Sequence, residues 1–199
     1  MKLIFSYFLN LFFIFLLFTN ESIAHSLVNN NSGFGNGFSH PILGLDHFLV
    51  MLGVGVWGAQ MQGRRMWSLP VTFPIIMSLG AIISLSNIFV LFHVEYIIVI
   101  SVIILGLFIF LKWLPNEMIA IILISLFAIY HGYSHGSEIP KAIDPLNFII
   151  GFVISTGLIH ILGILLGYIF DKFYNGLISR IIGMIISLFG IILFIIMIF

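Results

Sequence analysis

Imidazole and carboxylate side chains lie in two short stretches of this otherwise apolar chain of 199 residues. Six of them are candidate ligands: His40, Asp46 and His47 in the first stretch, then His131, His135 and Glu138 in the second. Ionisable groups inside apolar segments are costly, so they usually face a polar pathway or one another. Because imidazole and carboxylate suit divalent transition metals, the stretches predict a route for such an ion, with its outer mouth at the first stretch.

The composition narrows both the ligands and the class of protein. The chain is 61% hydrophobic and 7% charged, with a mean hydropathy of +1.26, which is typical of an integral membrane protein. Lys and Arg together number seven, as do Asp and Glu, so no charge surplus or motif indicates a nucleic-acid partner. The absence of cysteine excludes disulfides, thiolate metal sites and cysteine nucleophiles.

Six apolar stretches could each cross a bilayer as a helix. They run over residues 41–61, 67–89, 95–111, 117–135, 146–170 and 177–199. Each is close to the roughly 20 residues that span about 30 Å of hydrocarbon. In lipid, backbone polar groups must be satisfied within a helix or a closed barrel. We therefore predict an all-α polytopic membrane protein, with a six-helix transmembrane domain over residues 40–199.

The N-terminus has the pattern of a secretory signal. Lys2 precedes an apolar run over residues 3–18, and the small residues Ser22 and Ala24 precede the bond after Ala24, at the positions a signal peptidase needs. We predict a cleavable signal peptide over residues 1–24, and an uncleaved first helix is the alternative. The Asn- and Gly-rich residues 25–39 are predicted to form a flexible extracytoplasmic arm.

Cleavage at this bond would make His25 the first residue of the mature chain. Its free α-amine and imidazole could then chelate one ion together. The alternative is an ordinary histidine in a solvated arm.

The positions of the basic residues predict the orientation. Those expected on the cytoplasmic side are Arg64, Arg65, Lys112, Lys172 and Arg180, whereas Lys141 is expected outside. This agrees with the positive-inside rule and with a mature N-terminus outside the cell. We therefore predict that both mature ends are extracytoplasmic. In the fifth span, Gly163 and Gly167 share one helical face, which predicts close helix contact there.

The predicted helices determine which ligands can meet. Asp46, His47 and His131 are expected at similar depth in two helices, so they can converge. His40 and His47 are seven residues apart, which gives about 10 Å of rise on one continuous helix. That is too far for one first coordination shell, so we expect them to act in succession. His160, near the middle of the fifth span, is either a deeper station for the ion or a hydrogen-bonded packing residue.

Three function classes fit these residues. An HxxxH pair at His131 and His135 also occurs in helical metalloenzymes, and Asp46 could orient the imidazole of His47 in a catalytic site. However, the chain has no HExxH motif and no Walker-type phosphate loop, so we do not predict an enzyme. A permease should move metal across a sealed bilayer, whereas a metal-binding accessory protein should bind without flux.

Two motifs resemble those of the HupE/UreJ family of hydrogenase and urease accessory membrane proteins. The first is a histidine, five residues and Asp-His, present as His40, Asp46 and His47. The second is similar to Phe-His-Gly-His-Ala-(Val or His)-Gly-x-Glu and reads here Tyr-His-Gly-Tyr-Ser-His-Gly-Ser-Glu over residues 130–138. Tyr133 stands where the family motif has its second histidine, and Ser134 stands where it has alanine.

The resemblance implies a permease of the bacterial inner membrane that imports Ni²⁺, or Co²⁺ in some members. Its expected partners are the divalent ion, the lipid bilayer and the proteins that mature hydrogenase or urease, with no tightly bound cofactor. Ligand type alone does not select nickel, because copper binds more tightly at almost any nitrogen and oxygen site.

Overall fold

The computed structural model describes residues 33–139 and 144–199, and these ranges fold into seven α-helices. In chain order they are α1 Gly33–Leu43, α2 Leu45–Met61, α3 Arg65–Ser86, α4 Val94–Leu111, α5 Glu117–Glu138, α6 Pro145–Tyr174 and α7 Leu177–Ile198. Helices α3 to α7 are long and apolar enough to cross a membrane. Helices α1 and α2 meet the same criterion only as a pair, bent by 78°. The predicted all-α, multi-pass membrane architecture is thereby confirmed.

The first predicted span is wrong in one respect, because it is not a continuous helix. The chain breaks at Gly44, whose φ of −79° and ψ of 106° are extended rather than helical. Glycine is among the weakest helix formers, so an interruption there costs little. The break turns α2 sharply away from α1 and changes which side chains can meet.

The helical domain also begins earlier than predicted. Residues 33–39 belong to α1, although their glycine content predicted a flexible arm. A Cβ at Gly37 would collide with the backbone of Phe148, and one at Gly151 would collide with the carbonyl of Phe34. Tertiary packing of α1 on α6 therefore overrides the weak local helix preference. The predicted signal peptide and His25 lie outside the described residues.

Helix α2 lies at the centre of the bundle. Every residue from Leu49 to Met61 is buried, which is expected of a helix that is apolar on all sides. Its closest contact is with α6, where Gly55 and Gly163 face each other's backbone and Gly167 faces Ala59. The predicted close contact through Gly163 and Gly167 is confirmed.

Small residues also bring α3 and α5 close together. Gly80 on α3 faces the backbone of Ile129 on α5, and Gly132 and Gly136 on α5 face the carbonyls of Met77 and Ala81. Backbones that approach this closely leave no room for a Cβ, so helix position is tightly defined. The two glycines of the second motif thus determine where α5 presents its histidines.

Candidate metal site

The break at Gly44 separates the first two candidate ligands onto two helices. His40 lies in the last turn of α1 and His47 in the first turn of α2. Because the chain bends between them, their ring centroids are only 5.8 Å apart. The expectation that these two histidines lie too far apart to share one ion is wrong, since it assumed one straight helix.

Asp46 orients the imidazole of His47. The Nδ1 of His47 lies 2.8 Å from Oδ1 of Asp46, and an ionised carboxylate can only accept a hydrogen bond. Nδ1 therefore carries a proton, and in the neutral ring the lone pair is on Nε2. That Nε2 is buried and has no hydrogen-bond partner among the described residues. A carboxylate that holds one imidazole nitrogen while the other is free is a common arrangement at metal sites.

Helix α5 brings the second motif to the same place. His135 is 1% exposed, and its ring centroid lies 4.3 Å from that of His47 and 4.7 Å from that of His40. Neither ring nitrogen of His135 has a hydrogen-bond partner in the described part of the chain. Buried polar atoms are rarely left without partners, so these nitrogens are suited to an additional ligand.

His40, His47 and His135 form the three-histidine cluster, and one nitrogen from each lies within 4.8 Å of the others. Two nitrogens that share one ion at about 2.1 Å are separated by roughly 3 to 3.5 Å. Small side-chain rotations would therefore suffice to close the cluster around one ion. Glycine contacts between helices fix the helices that carry these three residues. The backbone therefore already holds the three rings close to one another.

Glu138 lies at the exposed edge of the cluster. Its Oε2 is 3.4 Å from Nε2 of His40 and 3.8 Å from Nδ1 of His135, and its side chain is 47% exposed. Helix α5 continues to Glu138, three residues beyond the predicted end of the span, which places this carboxylate one turn after His135. It can therefore meet an ion that arrives from solvent.

His131 lies directly behind the cluster. It is fully buried, and its ring centroid is 5.7 Å from that of His47, as the predicted convergence of α2 and α5 requires. Its Nδ1 donates to the carbonyl of Phe127 at 3.0 Å, so its lone pair is on Nε2. His160 does not belong to this group. Its Nδ1 donates to the carbonyl of Pro70 on α3.

One polar residue that the sequence analysis did not select contacts this region. Glu95, at the start of α4, accepts a hydrogen bond from Ser134 at 3.0 Å, and the same hydroxyl lies 3.4 Å from Glu138. Ser134 therefore links the two carboxylates. The available sequence signal was the position of Glu95 at the start of the predicted span 95–111, on the side of the membrane where His135 is also expected.

Tyr133 does not belong to the cluster, although a histidine occupies its position in the family motif. Its hydroxyl donates to the carbonyl of Phe89, in the connection between α3 and α4, at 3.1 Å. His135, two residues later, enters the cluster instead. The substitution therefore leaves all three cluster imidazoles in place.

Comparisons with known proteins cover nearly the whole chain. A family model described as HupE / UreJ protein matches residues 13–193. Protein HupE from Rhizobium leguminosarum bv. viciae is 32% identical over 170 residues, which cover 85% of this chain and 88% of that protein. No solved structure gives a significant match. The matched region includes every residue of the three-histidine cluster.

Proposed function

The chain belongs to the HupE/UreJ family, and from this premise we propose that it is a membrane permease for a divalent transition-metal ion. The proposed substrate is Ni²⁺, with Co²⁺ as the second candidate, destined for the maturation of hydrogenase or urease. The three-histidine cluster carries the proposal, because it gathers imidazoles from three helices at one end of a membrane bundle. Within it, Nε2 of His47 and both ring nitrogens of His135 are buried without a hydrogen-bond partner among the described residues.

Entry of the ion would begin at Glu138 and His40, the more exposed groups of the site. A carboxylate at the mouth raises the local concentration of cations. His47 and His135 then complete a nitrogen ligand set, while Asp46 holds the His47 ring in orientation. The negative charges of Asp46 and Glu138 would offset the cost of bringing a doubly charged ion into a poorly polar environment.

Passage inward would continue through His131, whose ring lies next to that of His47. The membrane potential can supply the free energy for accumulation. Two positive charges that move down about 100 mV release roughly 4.6 kcal/mol, which corresponds to more than a thousandfold concentration ratio. Nucleotide hydrolysis is therefore not needed to drive uptake.

The choice of nickel is supported by the family and not by the ligand set. Imidazole and carboxylate bind Cu²⁺ more tightly than Ni²⁺ or Co²⁺, so affinity alone would not select the proposed substrate. Selection would then depend on geometry and on which metals are available outside the cell.

The test is uptake of ⁶³Ni²⁺ into proteoliposomes with an inside-negative potential. We expect wild-type flux that excess Co²⁺ reduces, and we expect His47→Ala to lower it by roughly 10-fold to 100-fold. His93→Ala is the matched control, because His93 is an exposed histidine outside the cluster. Wild-type protein that binds nickel tightly but moves none would contradict the permease and favour an accessory protein that hands metal to a partner.

A further inference from the structure

His160 is a buried histidine whose Nδ1 is hydrogen-bonded and whose Nε2 is free. It lies within α6 and is 1% exposed. Its Nδ1 donates to the carbonyl of Pro70 at 3.1 Å, which leaves the lone pair on Nε2. That Nε2 has no hydrogen-bond partner among the described residues. The three-histidine cluster and His131 behind it together form the outer site. The ring of His160 is thus presented in the same way as the rings of His47 and His131 in that site.

The Pro70 carbonyl is free to accept a hydrogen bond from His160 because of a second proline, Pro74. In a regular helix, the carbonyl of Pro70 would accept from the backbone N–H of residue 74. Residue 74 is Pro74, which has no N–H, so the Pro70 carbonyl lacks its usual partner within α3. His160 takes that place. The proline pair on α3 therefore determines which nitrogen of His160 is left free.

A second polar group accompanies the free nitrogen. Thr156 is fully buried and lies one turn before His160, on the same face of α6. A threonine inside a helix usually bonds back to a carbonyl of the preceding turn. Its hydroxyl has no partner within the part of the chain that the structure describes. This helix face consequently presents both an imidazole nitrogen and a hydroxyl oxygen that lack partners.

Phe73 lies between this group and the outer site. Its ring centroid is 5.7 Å from that of His131 and 5.6 Å from that of His160, and the residue is fully buried. The imidazoles of His47 and His131 are neighbours, so Phe73 interrupts a series of rings that would otherwise be imidazoles only. It also lies between Pro70 and Pro74, which cannot donate backbone hydrogen bonds, and prolines are the usual places where a helix bends.

We propose that His160 Nε2, together with the Thr156 hydroxyl, is a second and inner binding position for the transported divalent ion, with the Phe73 ring separating it from the outer site. The inference rests on the proposed function and adds a second binding position to the proposed route of the ion. A single imidazole binds a metal ion more weakly than three do. Weak binding at an inner position would let the ion leave, which conduction requires.

The first test removes the free nitrogen and keeps the structural hydrogen bond. In His160→Asn, the side-chain amide can still donate to the Pro70 carbonyl, but nothing replaces Nε2. We expect the maximal rate of ⁶³Ni²⁺ uptake to fall by roughly 10-fold to 100-fold while KM is unchanged, since outer capture is intact. His93→Asn is the control. Wild-type rates in folded His160→Asn would show that His160 only packs the bundle and would overturn the proposal.

The second test does not depend on transport. Equilibrium dialysis of the detergent-solubilised full chain with ⁶³Ni²⁺ should show one ion fewer bound to His160→Asn than to wild type, with the tighter site retained. An equal number in both proteins would overturn the inner position. If wild type shows the extra site but no flux, the inner position stands and the permease proposal fails. Thr156→Val, which removes the unpartnered hydroxyl and keeps the branched shape, serves as the second variant if gel filtration shows that His160→Asn does not fold.

Discussion

In three histidines of this protein, a hydrogen bond from Nδ1 leaves the lone pair of Nε2 free. Each donates from Nδ1 to an acceptor fixed by the fold: Asp46 for His47, the Phe127 carbonyl for His131 and the Pro70 carbonyl for His160. In each case Nε2 is buried without a partner among the described residues. Because the free nitrogen of a neutral imidazole is the metal ligand, the acceptors determine how these side chains can bind.

The Asp46 carboxylate should therefore matter for affinity without being a ligand itself. We expect Asp46→Asn to weaken Ni²⁺ binding by roughly 10-fold to 100-fold, because the amide no longer fixes the proton on Nδ1 of His47. Isothermal titration calorimetry on solubilised protein measures this change. Asp144→Asn is the matched control, since Asp144 caps α6 and is not a member of the cluster, and asparagine caps a helix equally well. Equal losses in both variants would contradict an orienting role.

The glycines of α5 position the second motif against α3. A Cβ at Gly132 would collide with the carbonyl of Met77, whereas one at Gly157 on α6 would meet nothing within 4 Å. We expect Gly132→Ala to lower the free energy of unfolding by about 1 to 3 kcal/mol, because backbones must separate. Gly157→Ala should be neutral or stabilise by up to about 1 kcal/mol, since alanine favours helix.

Thermal unfolding of the two glycine variants in detergent measures the difference. The pair is matched, because both substitutions add one methyl group to a transmembrane helix. If Gly157→Ala lowers the melting temperature as much as Gly132→Ala does, close packing of α3 and α5 is not what these glycines provide.

The break between α1 and α2 is the element on which the site depends most. A Cβ at Gly44 would lie 3.2 Å from Nδ1 of His47 and 3.4 Å from Oδ1 of Asp46. The φ of −79° is accessible to alanine, so the backbone itself tolerates the change. We expect Gly44→Ala to disturb the Asp46–His47 pair and to reduce nickel affinity by roughly tenfold with little change in melting temperature. Wild-type affinity in this variant would contradict that coupling.

The orientation of the whole molecule remains a prediction from its basic residues. The chain lacks cysteine, so a single introduced thiol can report which side of the membrane it faces. Val90 and Leu114 are exposed in the connections on opposite ends of α4. We expect a membrane-impermeant thiol reagent to label Val90→Cys in intact cells and Leu114→Cys only after the membrane is opened. The reverse pattern would invert the proposed direction of uptake.

Much of the helical scaffold could be predicted from the sequence. Five of the predicted spans agree with α3 to α7 to within a few residues, because the length and apolarity of each segment are local properties. His40, His47 and His135 were each selected as candidate ligands, but the sequence analysis expected His40 and His47 to act in succession and did not predict that these three share one site. The helix at residues 33–39 was missed because it depends on packing against α6. The break at Gly44 was missed because a single glycine in an apolar run does not by itself predict where a helix ends.

The sequence by itself determined that this is a helical membrane protein with a small set of imidazole and carboxylate groups, since composition and periodicity are enough for that. Only the tertiary structure decided which of these groups share a site. The 78° bend at Gly44 brings His40 to His47, and glycine contacts between helices bring His135 to both. Distances along a chain do not give distances across helix contacts, so the three-histidine cluster and the separate position of His160 became visible only in the folded bundle.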